Sequence, residues 1–204
     1  LIKILQLFPD HLDLNGDGGN VQVLLKRAVW GGLAAELSAL YPGQNPNERP
    51  DVVIIGHGST AAWKQVYGEF ARLVPVIADW MNHGTQVVAV STGFAALHGL
   101  VSGLPKSVSK TERKSLFVVE EFEGEEVFGY LNSDLDLPNI VRHGNLIGTM
   151  LHGPILAKNT WLADQIIEKV RGNNPRTNVN SIKLDQIELL AKAARNLAAD
   201  QAKG

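Results

Sequence analysis

The chain has 204 residues, of which 45% are apolar and 20% charged, with a formal net charge of −2; that is enough for one α/β domain with a sizeable core, and too weak a field to attract nucleic acid by charge. It contains no cysteine, which excludes disulfides, thiolate metal sites and a cysteine nucleophile, and is compatible with a cytoplasmic location. No apolar stretch approaches the length of a membrane span, so no membrane insertion is expected.

The chain opens on Leu1-Ile2-Lys3-Ile4-Leu5-Gln6-Leu7-Phe8, which lacks the basic segment and small-residue cleavage site of a signal peptide and reads as a first strand. The missing initiator Met is read as trimming. Val21, Leu24, Leu25, Ala28 and Val29 recur at helical spacing over residues 20–31. Ala35 to Leu40 reads as a short strand, and Pro42 to Asn47 as a loop. Val52-Val53-Ile54-Ile55 is apolar on both faces, as in a covered parallel strand. Residues 60–82 read as a helix broken near Pro75, and Val87 to Val90 as the next strand.

The rhythm then changes. Ser115–Val119 and Glu126–Tyr130 flank the turn-rich Glu123-Gly124-Glu125, which predicts a β-hairpin. Leu146 to Leu151 predicts one strand running into His152-Gly153-Pro154, and helices are expected over 159–171 and 183–202, joined by a polar segment. Strand–helix alternation in the first half predicts a mostly parallel central sheet with helices on both faces, joined by the antiparallel hairpin. The expected organisation is one domain over 1–172, a linker over 173–182 and a C-terminal helix over 183–204 packed on the same domain.

Three segments carry candidate chemistry. Asp13-Leu14-Asn15-Gly16-Asp17-Gly18 matches the start of an EF-hand loop, but its twelfth position is Leu24 rather than Glu, so calcium binding in the usual way is not expected and no metal site is assigned. Gly56-His57-Gly58-Ser59-Thr60 is a glycine-rich strand-to-helix turn that could offer backbone N–H groups to an anion; its plain reading is a βα turn with Thr60 as N-cap. Val90-Ser91-Thr92-Gly93-Phe94 places Ser between a strand and a helix, with Gly two residues on. That is the form of a nucleophile elbow. A serine there needs a base, and His152, at a strand end, has the best context; a helix-capping Ser91 and a hydrogen-bonded turn His152 are the plainer alternatives.

The order of these segments resembles a known family. Pro9 to Asn20 resembles the opening "P-x-x-x-N-x-Y-G-D-x-G-N" of the cobyric-acid-synthase-like class I glutamine amidotransferases, and Gly148-Thr149-Met150-Leu151-His152-Gly153-Pro154-Ile155-Leu156 resembles their "G-T-x-L-H-G-P-x-L". Gly129-Tyr130-Leu131-Asn132 partly echoes "G-F/Y-E-N-H". Within the family the likeness is greatest to glutaminase subunits of lipid II isoglutaminyl synthase.

The resemblance implies a flavodoxin-like α/β fold and no cofactor. It implies glutamine or a related small amide as ligand, and ammonia passed to a Mur-ligase-like synthetase in a heterodimer that amidates the peptidoglycan precursor. It assigns His152 as the catalytic histidine and puts Ser91 in the place of the nucleophilic cysteine. Asp17 matches the motif aspartate, as a third catalytic member or a shaping residue, and Gly56, His57, Gly58, Thr92 and Asn132 fall on substrate-binding positions.

The departures cluster at the site. The family elbow "C-G-G-Y-Q" is Ser91-Thr92-Gly93-Phe94-Ala95, and the upstream "G-G-G-Q-D" is Gly56-His57-Gly58-Ser59-Thr60. A thiol is readily activated to thiolate, whereas a serine hydroxyl must lose its proton during attack. The sequence therefore leaves four expectations open: a glutaminase or Ser-His hydrolase, a degenerate subunit that binds or regulates its synthetase, a small-molecule binding module, or an amidotransferase domain of the cobyric type.

Overall fold

A computed structural model describes residues 1–98 and 108–201. Its main sheet has six strands in the order β2-β1-β3-β4-β8-β7. These are β1 (Ile2–Leu7), β2 (Ala35–Leu40), β3 (Val52–Ile55), β4 (Gln86–Val90), β7 (Ile140–His143) and β8 (Leu146–Thr149). All neighbours are parallel except β7, which closes one edge antiparallel to β8. A second, antiparallel sheet of three strands has the order β5-β6-β9, with β5 (Lys110–Phe122), β6 (Glu125–Leu135) and β9 (Leu151–His152). The expected architecture, a mostly parallel sheet between helices plus a hairpin, is the observed one.

The two central strands show why the sheet forms. Every residue of Val52–Ile55 and of Gln86–Val90 is buried, so both faces of β3 and β4 lie under helices. The helices are α1 (Gly18–Trp30), α2 (Thr60–Asn82), α3 (Thr92–His98), α4 (Ile155–Lys158), α5 (Thr160–Arg171) and α6 (Ser181–Gln201). Residues 202–204, and with them the expected end of the last helix, lie outside the described residues. α6 leans on the domain through Ala191, through Thr160 Oγ1 donating to Glu188 and Arg195 donating to the Lys158 carbonyl, while Leu189, Leu190 and Leu197 stay exposed.

Four local expectations change. Helix α2 runs unbroken through Pro75. The proline ring costs one backbone bond, but Pro75 is exposed, and Val66, Phe70, Leu73, Val74, Ile77 and Trp80 bury the opposite face and hold the helix together. Its N-cap is Ser59, not Thr60: the Ser59 hydroxyl accepts the Ala62 N–H at 3.1 Å. The single strand expected over Leu146–Leu151 is two, β8 in the main sheet and β9 in the second, with Met150 between them. The hairpin is longer than its apolar core; Glu123 and Gly124 both adopt positive φ, 55° and 86°, as a two-residue turn of type I′ requires.

Candidate active site

The carboxyl ends of β1, β3, β4 and β8 converge on one edge of the sheet, where ligand sites of open α/β sheets are built. Ser91 sits there between β4 and α3 with φ 51° and 2% exposure. A non-glycine residue in the left-handed region is strained, and two contacts hold it. The Ser91 N–H donates to the Thr149 carbonyl of the adjacent strand at 2.6 Å, and the Ser91 carbonyl accepts the Ala95 N–H at 2.9 Å. The next turn of α3 is pressed onto the sheet because two glycines allow it. A Cβ on Gly93 would stand 2.6 Å from the Gly56 carbonyl oxygen, and one on Gly148 would stand 2.2 Å from the Phe94 ring. This is the strained strand–turn–helix geometry of a nucleophile elbow.

His152 is carried to the same edge by β9, which pairs Tyr130 with His152 and Leu131 with Leu151. Asn20 secures the segment that follows, its Oδ1 accepting the Leu156 N–H at 2.9 Å. Asn159 ties α4 to β6, accepting the Phe128 N–H and donating to the Phe128 carbonyl, both at 2.8 Å. The His152 ring is buried. Its Nδ1 lies 2.9 Å from Asn15 Nδ2, and the His57 ring stands edge-on to it at 5.0 Å between centroids. Burial, with the neighbouring His57 adding to it, pushes the His152 imidazole down to about 4; burial lowers His57 as well. An amide at Nδ1 serves either neutral tautomer, by donating or accepting, but adds no negative charge to stabilise an imidazolium.

The Gly56–Gly58 turn is held from below by Asp17. Asp17 Oδ2 accepts the His57 N–H at 2.6 Å, and Oδ1 is buried with no hydrogen-bond partner among the described residues. Burial, and to a lesser degree Asp13, raises this carboxyl to about 6 against the opposing His57 N–H. Asp13 is itself used locally, accepting the Gly18 N–H at 2.7 Å, and Leu24, at the twelfth position of the calcium-like pattern, is fully buried.

Thr92 closes the turn from above. Its Oγ1 accepts the Gly58 N–H at 2.9 Å and the Trp63 indole N–H at 2.8 Å. Its own proton faces the Gly58 carbonyl and His57 Nδ1, each 3.0 Å away.

The structure thus brings Ser91, Thr92, Gly56, His57, Gly58, Asp17 and His152 to one edge. Asn132 is an exposed residue of β6, and its Oδ1 accepts from Arg113 at 2.7 Å. Sequence reasoning missed Asn15 and Trp63 as site residues. Asn15 lies inside the opening motif, but its contact to His152 spans 137 positions and no local signal marks it. Trp63 reads as one apolar residue of α2. Among the described residues no group of three or more His, Asp or Glu is placed to hold a metal ion, and no helix is long and apolar enough to cross a membrane.

Comparison with known proteins gives a consistent picture. The chain is 25% identical over 203 aligned residues to the lipid II isoglutaminyl synthase (glutamine-hydrolyzing) subunit GatD of Staphylococcus aureus, covering 82% of this chain and 84% of that protein. Among solved structures it resembles a glutamine amidotransferase from Thermotoga maritima, with a TM-score of 0.54 at 13% identity over 100% of this chain and 99% of that one. PurLQS from the same organism gives 0.54 at 13% identity over 83% and 97%. These structural likenesses support the fold. No family model matches the chain.

Proposed function

We propose that the chain is a class I glutamine amidotransferase-like subunit that has kept the amidotransferase scaffold and lost glutamine hydrolysis. In this reading it binds and regulates a Mur-ligase-like synthetase, which takes free ammonia or another amine. The relative from Staphylococcus aureus, a subunit of lipid II isoglutaminyl synthase, supports a synthetase partner; its Mur-ligase-like character is carried by the motif resemblance.

The observation that carries the loss of hydrolysis is the surroundings of His152. A general base works best when its pKa is near the operating pH. His152 is held near 4 by burial, faces an amide at Nδ1 and has a second histidine edge-on to its ring. Taking the proton of a serine hydroxyl would create a desolvated imidazolium to which Asn15 and His57 supply no negative charge. A thiol ionises far more readily than this hydroxyl, so Ser91 makes the demand on the base larger while the site makes the base weaker. Asp17 is a positioning residue in this account: it holds the His57 backbone and thereby the turn over the elbow.

The test is reconstitution of the chain with the Mur-ligase-like synthetase. Stable co-purification is expected, with the synthetase's ammonia-driven amidation the same beside the wild-type chain and the Ser91→Ala variant. Amidation that runs on glutamine and stops on Ser91→Ala would overturn the reading.

A further inference from the structure

The hydrogen bonds around Thr92 go further than the serine. At a strand-to-helix elbow, the anionic oxygen of an acyl intermediate is held by two backbone N–H groups. One belongs to the residue after the nucleophile; the other comes from the loop of a neighbouring strand. Here the residue after Ser91 is Thr92, and the neighbouring loop is Gly56–Gly58, pressed against the elbow at Gly93. The loop N–H that reaches the elbow is that of Gly58, and it is already bonded, at 2.9 Å, to Thr92 Oγ1.

We propose that the Thr92 hydroxyl oxygen occupies the anion-binding position of this elbow, so that residue 92 blocks acyl transfer independently of the residue at 91. The proposal rests on the amidotransferase-like reading and deepens it. Thr92 Oγ1 is fully engaged: both lone pairs take N–H donors, from Gly58 and Trp63, and its proton faces the Gly58 carbonyl and His57 Nδ1. Of the two backbone N–H groups this elbow would offer an oxyanion, the loop one, that of Gly58, is spent on Thr92 Oγ1, and the Trp63 indole N–H converges on the same atom. Both meet on a neutral oxygen tethered to the helix by its own side chain. A substrate carbonyl could recruit Gly58 only by rotating the Thr92 hydroxyl away from Gly58, Trp63 and His57, which hold it. Glycine at 92 would remove that oxygen and free the Gly58 N–H.

The test uses the full chain with Ser91→Cys as background and a chloroketone analogue of glutamine as probe, because this probe needs both a thiol and a site for its carbonyl oxygen. Losing one donor of this kind typically costs about 10²–10³-fold. The Ser91→Cys/Thr92→Gly chain should therefore be labelled on the order of 100-fold faster than Ser91→Cys alone. Labelling by iodoacetamide, which reports only access to the thiol, should not differ between them. Ser91→Cys/Thr92→Ser, which keeps the hydroxyl, should stay as slow as the single variant.

Equal chloroketone rates for the glycine and threonine forms, or a serine form as fast as the glycine form, would overturn the proposal. Thr92→Val supplies a measurement that needs no reactivity. Without the hydroxyl, hydrogen exchange at the Gly58 amide should accelerate at least tenfold; unchanged exchange would overturn the proposal too. Glutamine hydrolysis by the unaltered chain would contradict this inference and the proposed loss of function together, whereas equal labelling rates contradict this one alone.

Discussion

Asn15 and His152 lie 137 positions apart in the chain and meet side chain to side chain at 2.9 Å. The contact joins the loop after the first strand to the last strand of the second sheet. It places a neutral amide at Nδ1 of a histidine on the sheet edge that carries Ser91. A neutral amide there leaves the ring to the effects of burial and of His57, both of which disfavour its charged form.

Replacing Asn15 by Asp tests this directly. A carboxylate beside Nδ1 favours the imidazolium, and an opposite charge at this range typically moves a pKa by about 1–3 units. His152 should therefore titrate at least one unit above its present value of about 4. The midpoint of the His152 ring resonance in an NMR pH titration reads this; an unchanged midpoint would separate Asn15 from the control of His152.

Asp17 and His152 should pull stability in opposite directions with pH. Asp17 is raised from 3.8 to about 6, so between those values the native chain holds a proton that the unfolded chain has released, and stability falls as pH rises through that window. His152 is lowered from 6.5 to about 4, so between those values the unfolded chain binds a proton that the native chain refuses, and stability grows as pH rises.

The two slopes oppose each other in the wild type, and single variants should unmask them. Asp17→Asn keeps an oxygen for the His57 N–H and removes the buried charge. It should stabilise the chain by up to roughly 3 kcal/mol above pH 6 and by nothing below pH 4, as read by urea unfolding across pH. His152→Gln should leave a stability that declines from pH 4 to 6.

The elbow depends on close backbone approach. A methyl group at Gly93 would meet the Gly56 and Ile55 carbonyl oxygens at 2.6 and 2.8 Å, both main-chain atoms that cannot swing aside. Gly93→Ala should destabilise the fold by about 1–3 kcal/mol, measured as a loss in urea midpoint. Ser91→Ala removes one hydroxyl and should change stability far less.

What the sequence made legible follows physical locality. Val52–Ile55 and Val87–Val90 are apolar on both faces and could only be covered strands. Ser91-Thr92-Gly93 at the end of one of them marked the elbow, and His152 stood out at the end of an apolar run. The interruption at Met150 was hidden because that run is apolar throughout and two sheets share it. Strand β7 was missed because Ile140–His143 is a half-polar edge with only Ile140 buried. The roles of Asn15 and Trp63 arise from contacts 137 and 29 positions long, which no spacing rule anticipates. The Gly58–Thr92 bond belongs to the same class: the sequence shows a threonine after the serine, and only the fold puts its oxygen on the loop amide.

The loss of glutamine hydrolysis is tested most directly by ammonia release from amide-labelled glutamine, using the unaltered full chain with and without its synthetase partner. Release no faster than in buffer alone is expected in both cases. Sustained release that disappears on Ser91→Ala or His152→Ala would contradict it.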